Sequence, residues 1–338
     1  MKLKKILIVI SITMLLLLSY SLYSVYTSPD SSGTSSGTLV YGSSSPELDY
    51  LKITEAGSGT NISGLTVNTD YDFHAQVTDN NGLSEIANVT FRFKLNPGNS
   101  ITADTPSFDE RSCYWFCYFD NASGTTYDKF GWYNGASWSW YSDSLGWGNW
   151  VKDNNYYMAD SPTTSSEAAI RIHLSKVATY SSGWRLDAIA YDDAGDPSNI
   201  RTFASITIYS YDEIIILDTT HSWSGDGGEN NVPLGTPANG YVRFNITTNH
   251  VYTIQCKGSG DLTFGSNTVA LSNVKFHKDT LGSATSMTTS YQNCGGYVSQ
   301  SIPTTEAYQT LNVTLWINIP EGKPAGSYTY TLYIQIAS

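Results

Sequence analysis

The sequence predicts an all-β protein made of antiparallel β-sandwiches, and three observations support this fold class. Apolar and polar residues alternate in short segments such as 89–95, 242–246 and 311–315, which is the period of a half-buried strand. Turn sequences rich in Asp, Asn and Gly separate such segments, as at 79–82 and 192–197. No long amphipathic helical pattern follows residue 28. Short strands joined by such turns are typical of a sandwich.

The strand-like segments form two groups, which predict two domains. The first domain is expected over residues 47–211, with strands at 71–77, 89–95, 113–119, 169–174, 184–191 and 202–209 and a Trp/Tyr-rich insertion at about 113–157. The second is expected over residues 212–338, with strands at 214–217, 241–246, 252–256, 262–264, 269–276, 311–319 and 327–336 and a turn at 320–326.

The end of the second domain carries a recognisable motif, because residues 318–329 read NIPEGKPAGSYT. This segment resembles the closing hairpin, IPxGxPAGxYT, of an immunoglobulin-like module found in archaeal and bacterial extracellular surface proteins. Residues 262–275 also fit that module, and residues 76–83 are more loosely similar to bacterial and archaeal Ig-like domains. The resemblance implies two Ig-like sandwiches. It implies no single function, since such modules serve in wall proteins, adhesins and filaments alike.

The N-terminus predicts export. Lys2, Lys4 and Lys5 precede an uncharged, largely apolar run from residue 6 to residue 28. Positive residues before an apolar segment are typical of an export signal, which places the rest of the chain outside the cell. Residues 1–28 fit either a cleaved signal peptide or a retained signal anchor. Residues 29–46, rich in Ser, Gly and Thr, predict a flexible tether, so we expect an extracellular or cell-surface protein.

The chain is acidic but sparsely charged, with a formal net charge of −12 and 14% charged residues. This charge argues against nucleic acid and against anionic membrane surfaces as partners. Membrane contact is expected only through an uncleaved N-terminal segment. Self-association or other surface proteins are the partners that we expect.

Asn-x-Ser/Thr sequons predict N-linked glycans on this exported chain. Three of the sequon asparagines fall on the polar side of alternating strands, where a glycan stays out of the core. In residues 88–95, that polar side is expected to carry Asn88, Thr90, Arg92 and Lys94. The candidate glycosylation sites are Asn61, Asn88, Asn121, Asn245 and Asn312.

Four cysteines also fit an oxidising compartment. Cys256 and Cys294 lie in one domain and are expected to be bonded to each other, closing a loop of about 40 residues. Cys113 and Cys117 are too far apart to bond along a straight strand. They could pair only if residues 114–116 form a turn or bulge, and pairing across domains stays open.

Six of the nine tryptophans lie between residues 115 and 150. Aromatic rings stack on sugars, fill subunit interfaces, or pack on their own domain, and all three interpretations stay open. Asp128, Asn134 and Asp143 could supply hydrogen bonds to a sugar. The candidates for interface or sugar binding are Trp132, Trp138, Trp140, Trp147 and Trp150.

Calcium is the only cofactor that the acidic turns suggest. Asp79, Asp192, Asp193 and Asp196 lie in loops that could meet at one end of the first sandwich, and hard oxygen ligands suit Ca²⁺. Their spacing matches no complete calcium loop. Catalytic motifs such as HExxH, a Gly-x-Ser-x-Gly elbow or a phosphate loop do not occur, so we do not expect an enzyme.

The tether contains one apolar island, Leu39, Val40 and Tyr41, which predicts a short strand. Such a strand is not stable alone, so it would fold back, stay disordered, or add to the sheet of a neighbouring subunit. Together these features predict a structural glycoprotein subunit of the cell exterior, in a filament, sheath or surface coat, and an archaeal source. The alternative is a monomeric adhesin or carbohydrate-binding surface protein that uses the Trp-rich segment.

Overall fold

The computed structural model describes residues 44–119, 129–140, 151–152 and 165–338. This part of the chain is all-β, which confirms the predicted fold class. The helical segments within it are 3-10 turns of three residues each, at Leu83–Glu85, Ile101–Ala103, Leu271–Asn273 and Leu281–Ser283. These described residues belong to one compact unit.

The first sandwich has two sheets, which together contain β1 (Glu47–Glu55), β2 (Gly64–Leu65), β3 (Thr69–Thr78), β4 (Ile86–Leu95), β5 (Cys113–Phe119), β6 (Lys129–Tyr133), β7 (Trp138–Trp140), β8 (Val151–Lys152), β9 (Ser165–Leu174), β10 (Ser181–Asp192) and β11 (Arg201–Ile208). One sheet has the order β1-β3-β9-β8 and the other β2-β11-β10-β4-β5-β6-β7. All pairs are antiparallel except the short β2/β11 pair. The predicted strands are all present, and β1 lies in a segment for which we predicted none.

Aromatic rings fill the core between these two sheets. Phe73 of β3 meets Phe93 of β4 edge to face, with ring centroids 5.1 Å apart. Trp184 of β10 stacks on Phe93 at 4.6 Å. The alternation of β4 puts Phe91 and Phe93 inward, as its sequence pattern predicts.

The opposite side of β4 is less accessible to solvent than its polar residues suggest. Arg92, predicted to face solvent, is 0% exposed. Its guanidinium lies 2.6 Å from a carboxylate oxygen of Asp187 and 2.9 Å from one of Asp104, and it donates to the backbone carbonyls of Asn99 and Ser100. The loop after β4 therefore covers the arginine, and ion pairs with backbone acceptors offset the burial of its charge.

The second sandwich is built from β12 (Asp212–Ile216), β13 (Val232–Pro233), β14 (Tyr241–Thr248), β15 (Thr253–Gly258), β16 (Leu262–Phe264), β17 (Asn267–Val269), β18 (Val274–His277), β19 (Thr285–Ser286), β20 (Gln292–Asn293), β21 (Gln309–Ile317) and β22 (Leu332–Ala337). The larger sheet has the order β12-β14-β21-β18-β19, with β13 also pairing with β21. The smaller sheet has the order β20-β15-β22, and β16 and β17 form a separate hairpin.

Two predictions for the second sandwich are wrong in detail. The strand expected at 269–276 is broken by the 3-10 turn Leu271–Asn273, and the last strand begins at Leu332 rather than at residue 327. Before β22, Thr329 forms an isolated bridge with Thr263, and the Thr331 carbonyl accepts a hydrogen bond from the Ser259 N–H at 2.9 Å. Both departures lie beside the β16/β17 hairpin.

Asn249 joins the two sandwiches. Its side chain is fully buried and donates from Nδ2 to the carbonyl oxygens of Ala178 and Tyr209, at 2.9 and 2.8 Å. Its Oδ1 accepts a hydrogen bond from the Tyr211 backbone at 2.8 Å. The junction is therefore polar and specific, while each sandwich keeps its own apolar core.

Candidate functional sites

The second sandwich has an open edge. Strands β12 and β22 are terminal in their sheets, and within the described residues each pairs on one side only. Their apolar side chains remain accessible, with Ile215 39%, Ile216 37%, Leu217 42% and Tyr333 43% exposed. Residues 332–337 contain no charge and no proline. We call β12, Leu217 and β22 together the open edge.

The Trp-rich segment is only partly within the described residues. Trp132 packs edge to face on Phe108 at 4.9 Å, and Trp138 packs on Tyr133 at 5.8 Å. Trp115 is buried on the outer side of β5, where the Arg92 guanidinium lies 5.8 Å from its ring centre. Each of these rings therefore has a packing partner within its own domain, and Trp132 and Trp138 stay partly accessible. Trp147 and Trp150, with Asp128 and Asp143, lie outside the described residues, and Trp140 is described only as backbone.

The sequon asparagines differ in how accessible their amides are. Asn61 is exposed, whereas Asn88 and Asn245 are half-buried on the outer faces of their sheets. Asn312 is more constrained, because its Nδ2, the atom that would carry a glycan, donates to the Lys278 carbonyl at 3.2 Å. Asn121 lies outside the described residues. Among the four described sites, Asn312 is the least suited to a glycan in the folded protein.

The four cysteines are buried, unbonded thiols in this structure. Cys256 and Cys294 lie side by side and share a hydrogen bond, which together with burial raises the pKa of Cys256. Their pairing stays a prediction. The suggested Cys113–Cys117 bond is wrong, because β5 runs straight through both residues in unbroken register with β4. Four residues of extended strand separate them by about 13 Å, well beyond the Cα separation of a disulfide.

The acidic turns do meet at one end of the first sandwich, but with different partners than predicted. Asp79 and Asp192 are 1% and 2% exposed, whereas Asp193 and Asp196 are exposed. Glu85 joins the buried pair instead: its carboxylate and that of Asp192 both act on Asp79. Burial raises the pKa of Asp79, and these two neighbouring charges add to the rise. Within the described residues no group of three or more Asp, Glu, His or Cys side chains with metal-binding geometry occurs.

Sequence reasoning missed a hydroxyl–imidazole–carboxylate chain on the β1-β3-β9 sheet. Thr54 Oγ1 lies 3.0 Å from His74 Nε2, and His74 Nδ1 lies 2.5 Å from Glu167 Oε1. Burial lowers the pKa of His74, against the opposing effect of the Glu167 carboxylate. The arrangement resembles a catalytic relay in connectivity, but Thr54 is fully buried and so cannot reach a substrate. Residues 93 positions apart carry no local signal for such a contact.

A cavity of about 510 Å³ opens between residues 221–227 and residues 320–330. Its floor is apolar, formed by Leu262, Val269, Ile317 and Ile319. Trp223 stacks on Tyr330 in its wall with centroids 5.9 Å apart, and His221 Nε2 lies 3.0 Å from the Tyr330 hydroxyl. Burial lowers the pKa of His221 and raises that of Tyr330, so both are neutral near pH 7.

The chemistry of this cavity suits a neutral ligand that has both an apolar and a hydroxylated face. Serine and threonine hydroxyls share its lining with the aromatic rings, and Asp226 and Lys323 give the cavity one charge of each sign. Trp223 was not among the tryptophans singled out from the sequence, because it lies far from the Trp-rich segment. Residues 319, 320 and 323–329 line part of the cavity, but the motif at 318–329 gave no indication of a cavity in the sequence.

Comparisons with known proteins add little to this geometry. No protein-family model and no curated protein matches the chain. One solved structure, described as a membrane-anchored protein from Corynebacterium diphtheriae, aligns over 87% of this chain and 91% of its own at 11% identity, with a TM-score of 0.16. A score this low supports no conclusion about fold or function. In the described residues, no helix is long and apolar enough to cross a membrane.

Proposed function

We propose that this protein is a structural glycoprotein subunit of the cell exterior, which self-associates through the open edge of its second sandwich. The observation that carries the proposal is the pair of terminal strands β12 and β22, whose apolar side chains remain exposed. An unpaired strand presents free N–H and C=O groups that bind another strand, so proteins normally protect such edges with Lys, Pro or bulges. Strand β22 has none of these in its sequence LYIQIA.

The partner strand would come from a second copy of the chain. Leu39, Val40 and Tyr41, which lie outside the described residues, form the apolar island of a Ser/Gly-rich tether. An added strand gains affinity from main-chain hydrogen bonds and specificity from its alternating side chains. The apolar N-terminus and the sequons support a surface location for such an assembly.

Charge placed on the open edge tests this function. Ile215→Lys and Tyr333→Lys each put an ammonium group on an accessible position, and a charged side chain on an edge strand opposes strand addition because it would lose hydration. We expect each variant to raise the concentration needed for assembly about tenfold, equivalent to about 1.4 kcal/mol. Light scattering and electron microscopy of the purified protein measure this effect.

Ile200→Lys is the matched control, because Ile200 is 39% exposed, like Ile215, but lies on the first sandwich. Its assembly should equal that of the unmodified chain. Deletion of residues 36–43 then tests the donor strand separately. If the truncated chain assembles normally, this segment is not the donor strand, but the open edge can still be the contact between subunits. An unmodified protein that stays a monodisperse monomer and binds glycans would contradict the structural role itself.

That last outcome would favour the alternative, a carbohydrate-binding surface protein. The observation supporting the alternative is the cavity beside Trp223 and Tyr330, rather than the Trp-rich segment. In the latter, the described rings of Trp132 and Trp138 pack against neighbouring aromatic residues.

A further inference from the structure

A buried carboxylate oxygen at the end of the first sandwich has no partner. Asp79 is 1% exposed. Its Oδ1 accepts a hydrogen bond from the Asn81 backbone at 2.8 Å and faces the Ser44 hydroxyl at 3.5 Å. Its Oδ2 is enclosed and finds no hydrogen-bond donor in the described part of the chain. An unpartnered buried polar atom of this kind is rare in folded proteins and calls for an explanation.

The surroundings of that oxygen are acidic rather than basic. Glu85 and Asp192 are the charges that act on Asp79, and both are carboxylates. Asp192 is 2% exposed and accepts the Asp196 backbone N–H at 2.7 Å. The side-chain amide of Asn81 donates to Glu85 at 3.3 Å. The charges that act most on Asp79 are therefore negative, and its Oδ2 has no cationic or hydrogen-bonding partner among the described residues.

Backbone contacts fix the two turns against each other. The Asp193 N–H donates to the Glu85 carbonyl at 2.7 Å, which ties the turn after β10 to the turn before β4. Within the first turn, the Gly82 N–H donates to the Asp79 carbonyl at 3.2 Å. The backbone of the two turns is therefore held together by the fold, which keeps Asp79, Glu85 and Asp192 at the same end of the sandwich.

We propose that these turns bind a calcium ion, with Asp79 Oδ2 and the Asp192 carboxylate as its charged ligands. Calcium accepts six to eight oxygens at about 2.3–2.6 Å and combines carboxylates with carbonyls, amide oxygens and water. A site with two main carboxylates is therefore consistent with the absence of a three-residue acidic, His or Cys group in the described residues. Glu85 adds negative charge beside the ion. Asp193 and Asp196, which are exposed, take no part.

The test is calcium binding by the full chain, measured by isothermal titration calorimetry and by the thermal midpoint in EDTA against Ca²⁺. We expect a Kd of roughly 0.1–1 mM, the range of extracellular calcium modules, and weaker binding of Mg²⁺. Asp79→Asn should weaken Ca²⁺ binding at least about tenfold, because it replaces the unpartnered oxygen with an amide group that lacks the charge. Asp193→Asn and Asp196→Asn are matched controls in the turn that carries Asp192 and should bind within about twofold of the unmodified chain.

Stability in EDTA gives an independent readout. Asp79→Asn removes a carboxylate from an acidic cluster and supplies an N–H₂ donor, so this variant should be at least as stable as the unmodified chain when calcium is absent. Glu85→Gln serves as a second variant and should weaken binding less than Asp79→Asn. If the unmodified protein takes up no Ca²⁺, or if Asp79→Asn binds as tightly, the proposal fails and Asp79 is simply a protonated carboxyl.

Discussion

The two sandwiches differ in how well their terminal strands are protected against pairing with another strand. In the first, β1 is terminal in its sheet, but its register shifts between Leu48 and Tyr50. The side chains of Asn199 and Arg201 form hydrogen bonds with the Leu48 backbone, and Arg201 Nε lies 2.6 Å from the Leu48 carbonyl oxygen. In the second, β22 is regular along its pairing with β15 and carries only uncharged residues. The first edge is protected against another strand, whereas the second can accept one.

Charged residues show the same contrast. The first sandwich encloses Arg92 completely among carboxylates and carbonyls. The second holds its comparable pair, Arg243 and Asp218, on the surface, with the arginine side chain 47% exposed. Buried, fully partnered polar groups specify one rigid arrangement. Among the described residues, the first sandwich thus has more buried ionic contacts, and the second has more exposed apolar side chains on its edge strands, which supports the proposal that the second sandwich binds a partner.

Among the changes that test this comparison, removal of the buried arginine should lower the free energy of unfolding most. Arg92→Ala breaks the ion pairs with Asp187 and Asp104 and empties a fully buried site, so we expect a loss of about 3–5 kcal/mol of unfolding free energy, although Arg185 still pairs with Asp187 at 2.9 Å. Chemical denaturation followed by tryptophan fluorescence measures the loss. Arg243→Ala is the counterpart in the second sandwich, and its effect should be small because that pair is solvated. Equal effects of the two variants would refute the proposed difference.

The strand content was predictable because it depends on local alternation, which each segment carries in its own sequence. The burial of Arg92 was not, since it is produced by a loop at residues 99–104 that folds over the outer face. Strand β1 was missed for a related reason. In its sequence ELDYLKITE the polar side chains of Tyr50 and Lys52 bind Glu167, on a strand more than 100 residues away, and no local pattern indicates that contact.

The candidate sites show the same limit. The pattern of Asp residues indicated that two turns could meet. It did not indicate that Glu85 would act on Asp79 while Asp193 and Asp196 stay exposed. The cavity depends on residues 221–227 and 320–330, which are separated by about a hundred positions in the chain. Long-range packing of this kind follows from topology, which residue spacing does not encode.

The cysteines provide a second test of the difference between the two sandwiches. We expect Cys256 and Cys294 to be bonded in the mature protein and Cys113 and Cys117 to remain thiols. Reduction of a bond closing a loop of about 40 residues should cost roughly 3–4 kcal/mol, confined to the second sandwich. Peptide mapping without reduction assigns the bond, and calorimetry with and without reductant measures its contribution. Four free thiols, or a bond between Cys113 and Cys117, would contradict the expectation.

The smallest of the three effects concerns the junction. Asn249→Ala removes three side-chain hydrogen bonds and leaves the carbonyls of Ala178 and Tyr209 and the N–H of Tyr211 without that partner. Unsatisfied buried groups are costly, so we expect a loss of about 2–3 kcal/mol. Because each sandwich has its own core, the loss should appear mainly as uncoupling: one calorimetric transition in the unmodified chain should become two.

Asn249→Asp is a useful companion, since it keeps the acceptor for Tyr211 but puts a carboxylate oxygen in place of the donor to the two carbonyls. If both variants still unfold in one transition at the original midpoint, Asn249 does not couple the sandwiches, and their cooperation must rest on other contacts such as the Lys176–Glu213 ion pair at 2.8 Å.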